Sequence, residues 1–362
     1  MPELAARTPS QGSRSPKATA RCAALDGGAR RRTKSICAID GHLCIRGYTV
    51  NMSDSLERQR QRLFRRSDEA PAHVVNERDM ALLRYIARHR LIASDDLALL
   101  DSGSHQNVLR ALRTLFDLGL VERPEAQKAH WFGTGQRTMI YGLSKKGARL
   151  VNASRDGDEP DGDHSERNRR AGSIFIQHTA ETAGFLARTE VACRGTDMSF
   201  MPMAEVIEAA PEQTRRAREP LRMRGVTVEP GKKLAGSVVP DGLFGLVYPD
   251  DTASYFMLEI DRGTMPVIRR GKDRTSFGHK IELYLDIWRH KVHHTQFGFQ
   301  AMRILTVTPS KERVATMVAA VRRLTGGTGS GLFLFVDQDA LRESNPLDVE
   351  WMSGKGETIR LI

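Results

Sequence analysis

The sequence predicts an α+β protein: a winged helix-turn-helix in the first half, then an α/β domain with a mixed sheet. Three observations predict it. Residues 75–151 carry three segments of helical period and then a hairpin pattern. Residues 152–170, "NASRDGDEPDGDHSERNRR", are charged and without periodicity, and read as a linker. Residues 171–362 run helix, several strands, helix, strand, helix and strand, the alternation of a sheet covered by helices. A chain of 362 residues is long enough for two cores of ordinary domain size.

Residues 1–74 hold many Arg, Ser and Gly and little apolar periodicity, so a disordered basic segment is expected there. Within residues 1–51, nine Arg and Lys against three acids supply more than half of the chain's net charge of +11. Such a surplus draws a polyanion by counterion release, without selecting a sequence. Met52 opens "MSDSLERQRQRLFRRSDEA" and reads as a natural start. No apolar run is long enough to span a bilayer, and the N-terminus lacks the apolar segment of a secretory leader. The four cysteines (Cys22, Cys37, Cys44 and Cys193) show no paired metal-ligand spacing, which fits a reducing cytoplasm rather than a disulfide framework.

Met80, Leu83, Ile86 and Ala87 stand at spacings of three and four, and Asn76 caps their helix with Asp79 in its first turn. A short second helix follows Ser94, and "DSGS" turns the chain. Ser104 then caps a third helix bearing Val108, Leu112, Leu115 and Phe116. "AHWFGT", a turn "GQRT" and "MIYGLS" read as a hairpin, closed by "KKGARLV". In the second half, "SIFIQHTAETAGFLARTEVA" reads as a helix and "MSFMPMAEVIEA" as a strand. A basic, poorly ordered stretch holds Arg215, Arg216, Arg218, Arg222 and Arg224. Two apolar runs flank the turn "YPDDT". A helix from Ser276 to His290, a strand "AMRILTV", a helix from Lys311 to Leu324 and a strand "GLFLFVD" complete the domain.

In a winged helix-turn-helix the third helix enters the major groove and its early residues meet base edges. Ser104, His105, Gln106 and Asn107 begin that helix here, followed by Arg110 and Arg113 on the face away from the apolar stripe. Gln and Asn suit adenine, and Arg suits guanine or phosphate. Lys128, His130 and Arg137 would reach phosphate from the wing. The competing reading is a solvated face in a protein-binding module.

"VPDGLFGLVYPDDTASYFMLEIDRG" places Asp241 before one strand and Glu259 and Asp261 at the end of the next. A loop with an odd number of residues sets Asp241 on the face of Glu259 and Asp261; an even one sets it opposite Ile260. On one face, the three acids would suit Mg²⁺ over a phosphodiester. Lys280 lies beside a stripe of Phe277, Ile281, Tyr284 and Trp288, from which it could reach them. The plain alternative is a hairpin with acidic ends, Glu259 pairing with Arg262, Arg269 or Lys280. His178 and Glu181 read as structural, and "HKVHH" at 290–294 as a solvated helix cap.

"YGLSKKGARL", "HTAETAGFL", "VPDGLF", "FMLEIDRGT", "KIELYLDIW", "ILTVTPS" and "GLFLFVD" together resemble the replication-relaxation family of plasmids and mobile elements. The likeness runs over residues 74–355. It implies double-stranded DNA as partner, with a relaxase, a replication protein or a second copy of the chain as further candidates. The second half is also similar to the PD-(D/E)xK nucleases, which implies a restriction-endonuclease-like fold. On that resemblance Asp241 takes the place of the motif aspartate and Glu259 that of the second acid. The lysine expected two positions later is Asp261, leaving Lys280 to take its role. Two mechanisms stay open: DNA binding without cleavage, or Mg²⁺-dependent hydrolysis by Asp241, Glu259 and Lys280, with Asp261 as a third metal ligand.

Overall fold

The computed structural model describes residues 62–128, 138–154, 164–226, 236–267 and 276–361, and the backbone of short strands at 37–39, 42–45, 48–51, 228–229 and 232–233. The chain divides into two compact units, Met1–Gln61 and Arg62–Ile362. In the first, β1 (Cys37–Ile39), β2 (His42–Ile45) and β3 (Tyr48–Asn51) pair as an antiparallel meander, where a disordered segment was expected.

The second unit begins earlier than the expected boundary at 75. Arg66 donates to the carbonyls of Phe116 and Val121, and Ser67 N–H donates to Asp117, so residues 62–74 are held against the helices that follow. Helix α1 (Glu77–His89) starts in a capping box between Asn76 and Asp79. β4 (Leu91–Ala93), α2 (Ser94–Asp101) and α3 (His105–Asp117) follow, the last capped by Ser104. Leu82, Leu83, Ile86, Leu97, Val108, Leu112 and Leu115 fill the core between the three helices. β5 (Val121–Glu122) and β4 flank β6 (Ile140–Leu143) in an antiparallel sheet. β6 is the return strand of the expected hairpin, but its described partners are β4 and β5; "AHWFGT" lies outside the described residues. α4 (Lys145–Ala153) closes this half.

The expected linker ends in a helix instead: α5 (Ser165–Arg170), anchored where Arg90 donates to the buried Asn168. α6 (Ser173–Cys193) then explains why the two halves form one compact unit. Ala183 and Ala187 pack into the core of α1–α3, while Phe185 and Cys193 pack under the large sheet. The close approach needs a small residue at Gly184, where an added Cβ would lie 2.8 Å from an Asp96 oxygen.

The large sheet has seven strands, with Thr358–Ile359 at one edge and Ser199–Met201 at the other. β7 (Ser199–Met201) is shorter than the sequence suggests, because Pro202 stops it and opens α7 (Met203–Glu208). The basic stretch is not irregular throughout. It contains α8 (Glu212–Arg215) and β8 (Met223–Arg224), which pairs with β11 (Ser237–Val238); β9 (Val228–Glu229) pairs with β10 (Lys232–Lys233). β12 (Gly242–Val247) and β13 (Ala253–Ile260) form the central hairpin. α9 (Phe277–Arg289) and α10 (Val292–Phe297) lead to β14 (Arg303–Thr308), which lies parallel to β13. α11 (Lys311–Leu324) leads to β15 (Phe333–Asp337), parallel to β14. α12 (Gln338–Glu343), β16 (Trp351–Ser353) and β17 (Thr358–Ile359) finish the antiparallel edge.

The sheet is therefore mixed, and strand alternation divides its faces. Met257, Ile304 and Phe333 meet α9 and α11, while Phe256, Leu258, Leu305 and Leu334 meet α6 and the C-terminal segment. Among the described residues no helix is long and apolar enough to cross a membrane.

Candidate functional site

Two polar regions stand out. The first is the open face of α3. His105, Gln106, Asn107 and Arg110 are exposed, while Val108, Leu112, Leu115 and Phe116 are buried. The 3.6-residue period alone separates them. His105 reaches Asp95 on the preceding helix at 3.0 Å, and Arg110 donates to Asn107 at 3.2 Å. Arg113 departs from expectation. It is half-buried, 2.7 Å from Asp117, and lies against the Phe116 ring, so its charge is held along the helix end. Lys128 pairs with Glu125 at 2.9 Å; His130 and Arg137 lie outside the described residues. Sequence reading missed Arg123, a buried guanidinium stacked 4.2 Å over Phe116 and donating to the Tyr141 hydroxyl at 2.9 Å.

The second region is the end of the central hairpin. Val247 pairs with Ala253, so the loop has five residues, an odd number, and Gly242 pairs with Leu258. One further step along this register sets Asp241 opposite Glu259. Asp241 accepts the Ile260 N–H at 2.8 Å, and His178 on α6 reaches its other oxygen at 2.9 Å. Glu259 is buried. Lys280 donates to one of its oxygens and Tyr284 to the other, both at 2.6 Å. The helical spacing of 280 and 284 puts both donors over the same strand position.

Burial pushes the Glu259 carboxyl up, an effect only partly offset by Lys280. Burial also works against the Lys280 charge, but the attraction of Glu259 prevails and holds the ammonium above its ordinary range. The hydrogen bond to Asp241 raises His178. Burial and the neighbouring Glu259 push Tyr284 well up, so it stays a donor. The cluster is thus two acids facing two basic side chains, with a phenol at its base.

Asp261 does not join it as a metal ligand. Arg313 donates to both of its oxygens, one of them at 2.8 Å, and Thr308 donates at 3.1 Å. This fork commits the carboxylate to α11. Among the described residues no three His, Cys, Asp or Glu side chains come together to hold a metal ion. Asp241 and Glu259 are enough carboxylate for Mg²⁺, which commonly takes one or two, but the donors already on them would have to yield. A buried hydroxyl without a partner among the described residues, that of Thr306, stands beside Glu259 in the β13–β14 register. His178 and Tyr284 are the members the sequence hid: one reads as a lone helical histidine, the other as part of an apolar stripe. Trp288, expected in that stripe, is exposed, and Ile287 is buried instead.

A family model described as replication-relaxation matches residues 83–301, from α1 to the segment before β14. No curated protein and no solved structure matches the chain.

Proposed function

The chain belongs to the replication-relaxation family, and from that premise we propose that it binds double-stranded DNA of a plasmid or other mobile element through a winged helix-turn-helix. The observation that carries the reading is the face of α3. Four residues suited to bases or phosphate crowd its first turns and point to solvent, on a helix whose other side is fully packed. The three helices and the three-stranded sheet packed with them support the reading. Anisotropy of labelled 20-base-pair duplexes over a salt series tests the reading. Gln106→Ala with Arg110→Ala should weaken binding about tenfold and flatten the salt dependence by roughly one phosphate contact. A binding curve unchanged in the double variant sinks it.

A second reading is a metal-dependent DNA endonuclease on a restriction-endonuclease-like fold. It is favoured by the 2.6 Å contact of Lys280 with Glu259 beside Asp241, and by a helix, antiparallel strands, a helix and a parallel strand in that order. Mg²⁺ would supply charge neutralisation at the phosphate, held by Asp241 and Glu259. Mn²⁺ titration by calorimetry, wild type against Glu259→Gln, tests the seat; nicking of supercoiled plasmid with and without Mg²⁺ tests the activity. Heat that persists in the variant, or plasmid left intact, removes this reading.

A further inference from the structure

We propose that the groove at the end of the sheet remote from Glu259 is a stacking site for single-stranded DNA. The groove holds about 510 Å³ and runs beside the start of β13, where Tyr248, Tyr255, Trp288, Arg303 and Arg360 form its walls. From Ser254 to Glu259 is roughly 17 Å along an extended strand, so this is a place apart from the acid cluster. The choice of DNA over RNA rests on the family reading above; the site rests on its own side chains.

Charge is the first argument. Among the described residues no Asp or Glu lines the groove, whereas two arginines do. Arg303 is exposed and makes no ion pair among the described residues, and the same holds for Arg289 and Lys291 on the segment that carries Trp288. Among the described residues Arg360 has only an exposed contact with Glu350 at 3.6 Å. Another large groove, about 540 Å³ beside α6, sets Asp95, Asp96 and Glu181 against Arg188, Arg262 and Arg342 and so lacks this bias.

Geometry is the second. Trp288 is 38% exposed in the last turn of α9, although Tyr284 and Ile287 in the turn before it are buried. Its indole is stacked on the buried His293 ring at 4.7 Å and 8°. The "HKVHH" segment caps α9 with the exposed His290, as expected, then turns at Lys291 (φ 52°) into α10 and brings the buried His293 back under Trp288. An indole fixed from behind and open to solvent costs little entropy when a base stacks on it. Aromatic rings beside unpaired cations are the pattern that holds single strands; in a duplex the base faces are covered by their neighbours.

The test uses the full chain and fluorescein-labelled (dT)15 at low salt, read by anisotropy. Trp288→Ala should weaken (dT)15 binding about tenfold, and Trp288→Phe should retain most of it. Arg303→Glu, on an exposed side chain, should weaken it similarly without relying on the packing of Trp288. Duplex affinity should stay at the wild-type value in all three, while Arg110→Ala should show the opposite pattern. Loss of the Arg110 effect with the Trp288 effect intact would remove the winged-helix reading and leave this one standing. The proposal is overturned if (dT)15 binds Trp288→Ala and Arg303→Glu as tightly as wild type, if wild type does not bind it, or if (rU)15 binds more tightly than (dT)15.

Discussion

The face of α3 and the end of the central hairpin both gather polar and charged side chains and differ in what surrounds them. On α3 the polar groups face water and have weak partners, such as the exposed His105–Asp95 contact. At the hairpin end Glu259 is buried, and each of its oxygens already has a donor. Exposed polar groups can be removed with little effect on folding, because water replaces their partners. Buried ones cannot, since the partner left behind has no solvent to turn to. Free side chains are therefore available for binding, whereas the acid cluster is first a piece of the fold.

The sharpest way to break this contrast is Lys280→Met. It removes the ammonium and leaves Glu259 buried with Tyr284 as its remaining donor. Loss of one member of a buried pair costs about 3 kcal/mol or more, to be read from urea unfolding. Adding Glu259→Gln should recover a large part, because the uncompensated charge is then gone. If Lys280→Met is as stable as wild type, the pair is not the structural element described. By contrast, Gln106→Ala on α3 should shift stability by less than about 0.5 kcal/mol.

The sequence made much of the scaffold legible and less of the site. The helix at Lys311–Leu324 and the strand ending at Asp337 follow from unambiguous periodicity and capping. β16 and β17 were missed because segments of two or three residues carry no period to read. Asp241, Glu259 and Lys280 were found as acids and a base near strand and helix ends. Their shared face was not decidable, because it depends on the length of the loop around Tyr248–Thr252 and one residue inverts it. Asp261 and Glu259 have the same parity on the strand, yet only the fold reveals that Arg313, from the following helix, claims the former. His178 stands 63 positions before Asp241, and nothing local announces such a partner.

A smaller effect comes from pH. His89 is buried at the end of α1, its Nε2 has no partner among the described residues, and burial, with the nearby Arg88, pushes its pKa down to about 3. The unfolded chain binds the proton near pH 6.5 and the folded one does not, so stability is full above that value and falls as pH drops toward 3. At about 1.4 kcal/mol per unit, the loss at pH 5 is roughly 2 kcal/mol. Asp96 acts in the opposite sense: burial raises it to about 6, so ionising it costs stability as pH rises from about 4 toward 6. Comparing the wild type with His89→Leu separates the two. Between about pH 4 and 6 the two slopes nearly cancel in the wild type, so the stability of the variant should rise as pH falls through that range, following Asp96; parallel profiles would assign the effect elsewhere.

The smallest effect sharpens the comparison inside α3 itself. Arg110 and Arg113 are one turn apart and look equivalent in sequence. Arg113 is half-buried on Asp117 and Phe116, whereas Arg110 is exposed with only Asn107 beside it. A guanidinium already held by a carboxylate has less charge to offer a phosphate and must break that pair to move. Arg110→Ala should therefore weaken duplex binding by about 1 kcal/mol and leave folding untouched, while Arg113→Ala should change binding less and stability more. The salt series distinguishes them: the slope should drop by roughly one unit for Arg110→Ala and stay near the wild-type value for Arg113→Ala. The reverse order would mean that Asp117 releases Arg113 on binding, and that the freedom of a side chain in the unbound protein is a poor guide to which arginine meets DNA.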